Sequence, residues 1–477
     1  MESIVEILSY IFWVVLAITI LVFVHEMGHF LFAKLFRMRV DRFSVGFPPK
    51  LFAKKIGETE YVIGATPLGG YVKIAGMIDE SMDTDFVDND PEPWEFRAKP
   101  VWQRIIVIAA GVVFNVILAF VIFTTLKMAY GDTYIPAENV DSIYVEEGSI
   151  ADQIGLRTGD RLIAVSGKKI EDFRDHSSVE SLISDPLTLT AERDGELVTL
   201  RGPEDIFTQL NRADGNLGIS YEPSIIGRVI AGSPADSVGM QPGDRITSIG
   251  GVRVRFWEEM TGSMQSSDGA SVSIRWQRPD SLMSEEVASG MSGEEGQIAR
   301  VVERLADATV YEADVTPMSE DGRYMLGVGG PTFAILAEEF GIEQRRYEPL
   351  QAVAVGFEET WVNTRAIAVS LTRVFTGQEN FRENVGGPIM IAQVTKQAAE
   401  LGARFFWNIV AILSITLAII NILPIPVLDG GHLVFLLYEG VTRREPSIRF
   451  RMITQQVGML LLLAFMTFVI FNDILRL

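Results

Sequence analysis

Two histidines and a glutamate in one short stretch of the chain could carry out hydrolysis with a metal ion. Residues His25-Glu26-Met27-Gly28-His29 form the pattern H-E-x-x-H. On a helix, residues four apart lie on one face, so His25 and His29 can bind the same ion. Glu26 stands beside them and could take a proton from a water molecule that the metal activates. The motif ends an apolar stretch, where ionisable side chains are costly and mark functional sites.

A catalytic zinc ion usually has three protein ligands, so the motif needs one more. The chain has four histidines and no cysteine, which leaves histidine and carboxylate as ligands. Asp429 is the best candidate, because it lies in an apolar run whose helix Pro424 and Pro426 must break. Broken backbone at membrane depth is tolerated where it lines a cavity, and an aspartate there needs a cation. We therefore predict that Asp429 is the third ligand.

Three further polar residues need an assignment. His432 follows Asp429 by three residues, and both a ligand role and a hydrogen bond to a ligand are open for it. His176 has polar neighbours, which predicts a surface residue. Asn115 follows Gly111 by four residues in an apolar run, which predicts either a hydrogen bond between helices or a role at the site, including substrate contact.

Four stretches without charged side chains predict four transmembrane helices, since roughly 20 apolar residues cross a hydrocarbon core. Glu2 and Glu6 precede the first stretch where a signal peptide would have Lys or Arg. We therefore expect a retained helix rather than a cleaved signal. The stretches are residues 7–24, 105–126, 405–428 and 452–472.

Lysine and arginine are concentrated between the first two stretches and between the last two. Basic residues favour the cytoplasmic side, so the termini and the region from about 130 to 403 should face the exported side. If the first helix starts near Ile7, His25 lies roughly 27 Å along it, in the cytoplasmic half of the bilayer. The exported region carries a net charge of roughly −20 over residues 131–350, which argues against nucleic acid as a ligand.

The exported region contains a repeat. Residues 148–162 match residues 232–246 at 8 of 15 positions, 84 residues apart. Each copy has a short helix signal followed by Gly-Asp-Arg and alternating apolar residues, and this pattern resembles the PDZ domain. PDZ domains hold extended peptides by adding a strand to a sheet edge. The alternative is that both copies are structural spacers, and neither shows an obvious Gly-Leu-Gly-Phe loop.

The two motifs together resemble the site-2 protease family of intramembrane metalloproteases. The resemblance rests on H-E-M-G-H at 25–29 and N-x-x-P-x-P-x-L-D-G at 421–430, and it covers the whole chain. It implies that His25, His29 and Asp429 bind Zn²⁺, that Glu26 is the catalytic base and that Asn421 lies near the substrate.

Family members also place a membrane-associated β-element between the first two spans, beside the active site. Residues 60–74 alternate in the manner of β-strands joined at Pro and Gly, and Gly70 and Tyr71 are predicted to contact substrate there. A cytoplasmic hairpin without this role is the alternative. A sheet edge could accept the backbone hydrogen bonds of an unwound substrate helix.

The predicted fold is a polytopic α-helical membrane protein with a cytoplasmic-side β-element and two periplasmic PDZ-like α+β domains. The predicted segments are a first span with the motif (1–36), a cytoplasmic loop with a hairpin (37–100), a second span (101–129), two PDZ-like domains (130–222 and 223–330) with a flexible insertion (279–300), interfacial amphipathic helices (331–403), a third span (404–438), a cytoplasmic loop (439–451) and a fourth span (452–477).

The resemblance implies a zinc endopeptidase of a bacterial inner membrane that cuts single-span proteins within the bilayer. Its expected partners are an anti-sigma factor or signal-peptide remnant already cut on the periplasmic side, membrane lipid, and a peptide or substrate segment at the PDZ-like domains. A non-enzymatic membrane scaffold that presents PDZ domains is the alternative, with the metal motif unused.

Overall fold

Within the part of the chain that the structure describes, four helices are long and apolar enough to cross a membrane, as predicted. In a computed structural model of the protein they are Leu8–Leu35, Val101–Tyr130, Ala403–Ile422 and Ile448–Leu475. The structure describes residues 2–77, 90–178, 187–203, 206, 209–210, 213, 216–282, 299–320, 322–377 and 386–476.

The described chain divides into two units, residues 1–132 with 346–477 and residues 133–345. The helices are α1 (Glu2–Leu35), α2 (Val101–Tyr130), α3 (Ile150–Ile154), α4 (Pro234–Ser237), α5 (Trp257–Ser266), α6 (Phe333–Phe340), α7 (Pro349–Phe375), α8 (Pro388–Leu401), α9 (Ala403–Ile422), α10 (Asp429–Thr442) and α11 (Ile448–Arg476).

A sheet made of two long, bent strands follows α1. Strands β1 (Val40–Ile56) and β2 (Thr59–Ile74) are antiparallel, and residues 40–45 of β1 pair with residues 70–74 on one side and 60–63 on the other. The far part of β1 pairs with the start of β2. Residues 70–74 therefore form an edge of the sheet, since the described residues add no third strand beyond them.

Helix α2 lies at the centre of the first unit and packs against α1, α7, α9 and α10. Glycines allow the closest approaches: a Cβ added at Gly28 of α1 would lie 2.5 Å from the Ala110 carbonyl oxygen. Small residues at helix crossings are the usual means of close packing in a membrane, where apolar side chains gain little by meeting one another. Ser414 of α9 adds a hydrogen bond of 2.8 Å to the Asn115 carbonyl.

The segment that was predicted to form a single helix, the third transmembrane span, consists of two helices. Helix α9 ends at Ile422 and α10 begins at Asp429. Pro424 and Pro426 cannot continue the helical ladder, and Val427 between the helices has φ of 87°. Two glycines let α10 begin close to the end of α9, since a Cβ at Gly430 would lie 2.6 Å from the Ile422 carbonyl carbon. The sequence predicted the break, but the predicted span ran too far.

In the chain, helices α7 and α8 follow the second unit and precede α9. Helix α7 is not among the four candidate spans, and it exposes large apolar side chains such as Phe357 and Trp361. This exposure suits the predicted amphipathic helix at a membrane interface. The Asp473 carboxylate in α11 accepts hydrogen bonds from the first amides of α8, including those of Gly387 and Ile389.

The second unit contains the two sequence repeats, each built on a small antiparallel sheet. The first repeat has strands β5 (Arg161–Val165), β6 (Lys168–Lys169), β7 (Thr188–Arg193) and β8 (Glu196–Arg201), in the order β6-β5-β7-β8, and a separate pair of β4 (Tyr144–Val145) with β9 (Ile219–Ser220). The second has β11 (Arg245–Ile249), β12 (Val252–Arg253), β13 (Val272–Pro279), β14 (Arg300–Arg304) and β15 (Ala308–Val315), in the order β12-β11-β13-β15-β14, and a separate pair of β10 (Arg228–Val229) with β18 (Val328–Gly329).

The aspartate of the Gly-Asp-Arg sequence forms an ion pair with an arginine in both repeats. Asp160 pairs with Arg193, and in the second repeat Asp244 pairs with Arg278 at 2.7 Å, with both side chains fully buried. Each arginine also donates to the backbone carbonyl that ends the short helix signal. Buried charges must be paired and hydrogen-bonded. The aspartates of the repeat are therefore structural.

Four further short strands form two pairs: β3 (Asp132–Tyr134) pairs with β19 (Glu343–Arg345), and β16 (Met318–Glu320) pairs with β17 (Arg323–Met325). The insertion predicted at 279–300 ends in strands at both sides, because β13 reaches Pro279 and β14 begins at Arg300. Residues 283–298, which carry most of it, lie outside the described residues.

Candidate functional site

Three side chains from two separated segments form a compact triangle in the first unit. Nε2 of His25 lies 3.2 Å from Nε2 of His29 and 3.2 Å from Oδ2 of Asp429, and the third side of the triangle is 3.4 Å. A tetrahedral zinc ion with bonds of about 2.0–2.1 Å sets its ligand atoms about 3.3–3.4 Å apart. The triangle therefore has the dimensions of a zinc site.

The hydrogen bonds around the triangle leave its atoms free to bind a metal. Nδ1 of His29 lies 2.8 Å from the Val107 carbonyl oxygen. That bond requires the proton on Nδ1, so Nε2 presents its lone pair to the triangle. Asp429 Oδ2 is buried and accepts no hydrogen bond from the described residues. A buried carboxylate oxygen in this state calls for a cation.

Asn115 orients the other histidine. Its side chain is fully buried, and its amide lies 3.3 Å from Nδ1 of His25. The oxygen and nitrogen of an asparagine amide are interchangeable by a half turn. With Oδ1 turned towards His25, Nδ1 donates to it and Nε2 is again a metal-facing lone pair. Asn115 is not among the residues that line the adjoining cavity, so its predicted contact with substrate remains a prediction.

The cavity beside the triangle has a volume of about 800 Å³. Glu26 lines it, next to the two histidines on α1. The edge of the sheet forms another wall, through residues 69–74. Gly70 brings the sheet edge close to α1, because a Cβ there would lie 2.8 Å from a methyl carbon of Val22 and 3.4 Å from Cγ of Glu26.

Two more predicted residues face the same cavity. Asn421, in the last turn of α9, has its amide nitrogen 3.5 Å from Nε2 of His25. Tyr71 stacks on Phe47, with ring centroids 6.4 Å apart, and its hydroxyl accepts a hydrogen bond of 3.1 Å from Arg42. The fold therefore brings together seven of the eight predicted site residues around one cavity: His25, Glu26, His29, Gly70, Tyr71, Asn421 and Asp429.

Comparison with known proteins gives the chain its family. The pattern of peptidase family M50 matches residues 13–465, nearly the whole chain. The chain belongs to peptidase family M50. This is the family of the site-2 proteases, so the resemblance seen in the sequence motifs is confirmed. The protein is an intramembrane zinc metalloprotease, and the triangle fits the ion that this chemistry needs.

Individual relatives of this M50 peptidase extend over its full length. A protein from Xylella fastidiosa (strain Temecula1 / ATCC 700964), whose name contains the words zinc metalloprotease, is 30% identical over 98% of this chain and 99% of its own length. The "Regulator of sigma E protease" of Haemophilus influenzae is 30% identical over 97% of this chain and 98% of its own. The "Regulator of sigma-E protease RseP" of Salmonella typhimurium (strain 14028s / SGSC 2262) is equally similar, with the same coverage.

The remaining histidines of the M50 peptidase differ from expectation in one case. His432 lines the cavity, but its Nε2 lies 3.4 Å from the amide nitrogen of Gln455, and it is outside the group of three ligand atoms. His176 is buried rather than on the surface. Its ring packs on Phe173 and bonds to that residue's carbonyl, and burial lowers the pKa of the imidazole.

Gly111 of α2 shapes the triangle, and only its spacing to Asn115 indicated this residue in the sequence. A Cβ at this position would lie 2.7 Å from Cε1 of His25 and closer still to Nε2 of His29. The spacing Gly111-x-x-x-Asn115 puts both residues on one face of α2, and this face meets the histidines.

Replacing Gly111 with alanine should therefore weaken zinc binding and proteolysis together. The added methyl group displaces both imidazoles, and we expect at least about a 10-fold loss of zinc affinity, comparable with the loss of an outer partner of a metal ligand. Zinc affinity is measured by competition with a chelator in detergent. Gly262→Ala is the matched control, since a Cβ at this helical glycine meets nothing within 4 Å. Wild-type zinc affinity in Gly111→Ala would refute this reading of the site.

Proposed function

We propose that this M50 peptidase cuts single-span membrane proteins inside the bilayer after their exported part has been trimmed. The substrates would be of the class of anti-sigma factors or signal-peptide remnants. Two of the relatives are named as regulators of sigma E, which supports a substrate of the first kind. The observation that carries the proposal is the triangle of ligand atoms, which shares a cavity with a sheet edge between apolar helices.

The chain's own residues divide the work of hydrolysis. His25, His29 and Asp429 would hold the ion, and Glu26 would accept a proton from the attacking water and pass it to the leaving amine. When bound, zinc lowers the pKa of a coordinated water to about 7 and polarises the carbonyl of the scissile bond. Asn421, close to His25 and facing the cavity, is placed to donate its amide to the substrate backbone.

The sheet edge would hold the substrate in an extended form. A transmembrane helix hides its peptide bonds in internal hydrogen bonds, so it must unwind before a protease can cut it. Residues 70–74 are an edge of the sheet beside the site, and a substrate strand added at this edge would satisfy the backbone groups of an unwound substrate. Gly70 lets this edge lie close to Glu26 of α1, and Tyr71 is fixed by Arg42 and Phe47.

The exported repeats would restrict access to trimmed substrates, as PDZ-like domains that hold an extended segment. In the first repeat a groove of about 310 Å³ lies between β9 and the turn that carries Phe173 and His176. The residues at the matching positions of the second repeat are Trp257 and Met260, which are larger or less polar. The first groove is therefore the better candidate for a peptide with polar groups.

Trimming should decide whether a substrate is cut. We expect a tagged single-span protein without its exported domain to be cleaved at least about 10-fold faster than the same protein with that domain. The reason is that the folded exported domain of an untrimmed substrate would keep its transmembrane segment from reaching the site. Rates are measured with purified protein in liposomes, by gel analysis of both forms. Equal rates for the two forms would contradict the proposed restriction of access to trimmed substrates. They would not contradict the assignment as a protease.

The proposed orientation places the repeats in the periplasm and the sheet of β1 and β2 in the cytoplasm. Because the chain has no cysteine, single-cysteine variants report one position each. Glu196→Cys in the first repeat should react with a membrane-impermeant maleimide in cells with a permeabilised outer membrane. Lys54→Cys in the sheet should react only after lysis; both positions are exposed. The reverse labelling pattern would invert the proposed topology.

A further inference from the structure

Helix α10, which carries the candidate ligand Asp429, is not a continuation of α9. Two prolines and the positive φ of Val427 interrupt the helix between them. Asp429 is the first residue of α10. Its carboxylate can meet the two histidines only if other contacts fix α10 against the rest of the first unit.

One buried ion pair makes such a contact at the far end of α10. Glu439 accepts hydrogen bonds from both terminal nitrogens of Arg104 on α2, one of them at 3.1 Å, and both residues are buried. The Arg104 guanidinium also lies 5.9 Å from the centre of the Phe96 ring. A bidentate arginine–carboxylate pair fixes direction as well as distance, since the guanidinium is planar.

Arg104 belongs to the helix that also orients the histidines. The carbonyl that fixes His29 belongs to Val107, about one turn further along α2, and Gly111 and Asn115 follow on the same helix. The ion pair thus ties the ligand helix α10 to the one element that sets the histidine side of the site.

We propose that Arg104 and Glu439 are a positioning pair that sets Asp429 against His25 and His29. Neither residue belongs to the group of three ligand atoms. The pair acts by holding the far end of α10 at a fixed depth and rotation relative to α2, beyond the break that separates α10 from α9. Removing Glu439 leaves the buried Arg104 guanidinium without its carboxylate. Removing Arg104 leaves Glu439 only the longer contact of 3.9 Å with Arg451 of α11 among the described residues. In both cases α10 loses the bidentate contact with α2 and shifts. The inference rests on the proposed role of Asp429 as a ligand.

The test measures zinc affinity by chelator competition in detergent on the full chain, with cleavage rate as a second readout. Arg104→Met and Glu439→Gln should each weaken zinc binding by at least about 10-fold. The exchanged double variant Arg104→Glu with Glu439→Arg should recover part of the loss. Lys127→Met is the matched control, because Lys127 lies on the same helix α2 and its ion pairs are with Asp132 and with Glu359 of α7.

Each outcome bears on the inference separately from the function. Wild-type zinc affinity in folded Arg104→Met or Glu439→Gln would overturn it, and so would an equal loss in Lys127→Met. If neither single variant folds, the pair is a general folding determinant and the inference also fails. Asp429→Ala distinguishes the underlying assumption: zinc retained in that variant removes Asp429 as a ligand, whatever the ion pair does.

Discussion

Asp429→Ala should purify as a folded protein with little or no zinc and no measurable proteolysis. The substitution removes one of three ligand atoms and leaves two imidazole nitrogens 3.2 Å apart. Two histidines alone do not complete the coordination that catalytic zinc requires. Loss of an outer partner of a ligand already costs about 10- to 100-fold in affinity, so we expect at least about a 100-fold loss for the ligand itself.

The measurement for Asp429→Ala is metal content by mass spectrometry at a fixed free zinc concentration. Asp41→Ala is the matched control, because Asp41 is a partly exposed aspartate of β1 that pairs with Arg39. The control should keep wild-type zinc and activity. Full zinc occupancy in Asp429→Ala would show that the third ligand lies elsewhere, with His432 the next residue to test, because it lines the same cavity.

Glu26→Gln should have the opposite signature, with zinc retained and catalysis lost. The glutamine keeps the size of the side chain and cannot accept the proton of the attacking water. Removal of a general base lowers rates by about 10²- to 10⁴-fold. Glu58→Gln, in the turn between β1 and β2, is the control and should cleave like the wild type. Residual activity of Glu26→Gln within a few fold of the wild type would exclude Glu26 as the base.

The sequence predicted the parts of the site that depend on local spacing. The spacing of four positions from His25 to His29 places both rings on one helical face, and two prolines before Asp429 require a broken helix. These are properties of a short segment, so they can be read without the fold. The predicted third span nevertheless extended beyond Ile422, because an apolar composition does not reveal that Gly430 and Gly431 allow a new helix to begin at once.

The parts that depend on packing between distant segments could not be predicted. Val107 fixes a histidine 78 residues away through its carbonyl, which has no side-chain signature. Arg104 and Glu439 are 335 residues apart and look like ordinary charges at the ends of apolar runs. His176 has polar neighbours in the sequence, yet its ring is buried because a short turn folds it onto Phe173. Burial of this kind is a tertiary property.

Cleavage inside the bilayer is tested most directly by mapping the bond that the purified protein cuts. A tagged single-span substrate without its exported domain is reconstituted in liposomes with wild-type protein or Glu26→Gln, and the products are identified by mass spectrometry. We predict one principal cut inside the apolar segment, in its cytoplasmic half, that is abolished by Glu26→Gln and by zinc chelation. A cut that persists in Glu26→Gln, or that falls only outside the apolar segment, would contradict the account.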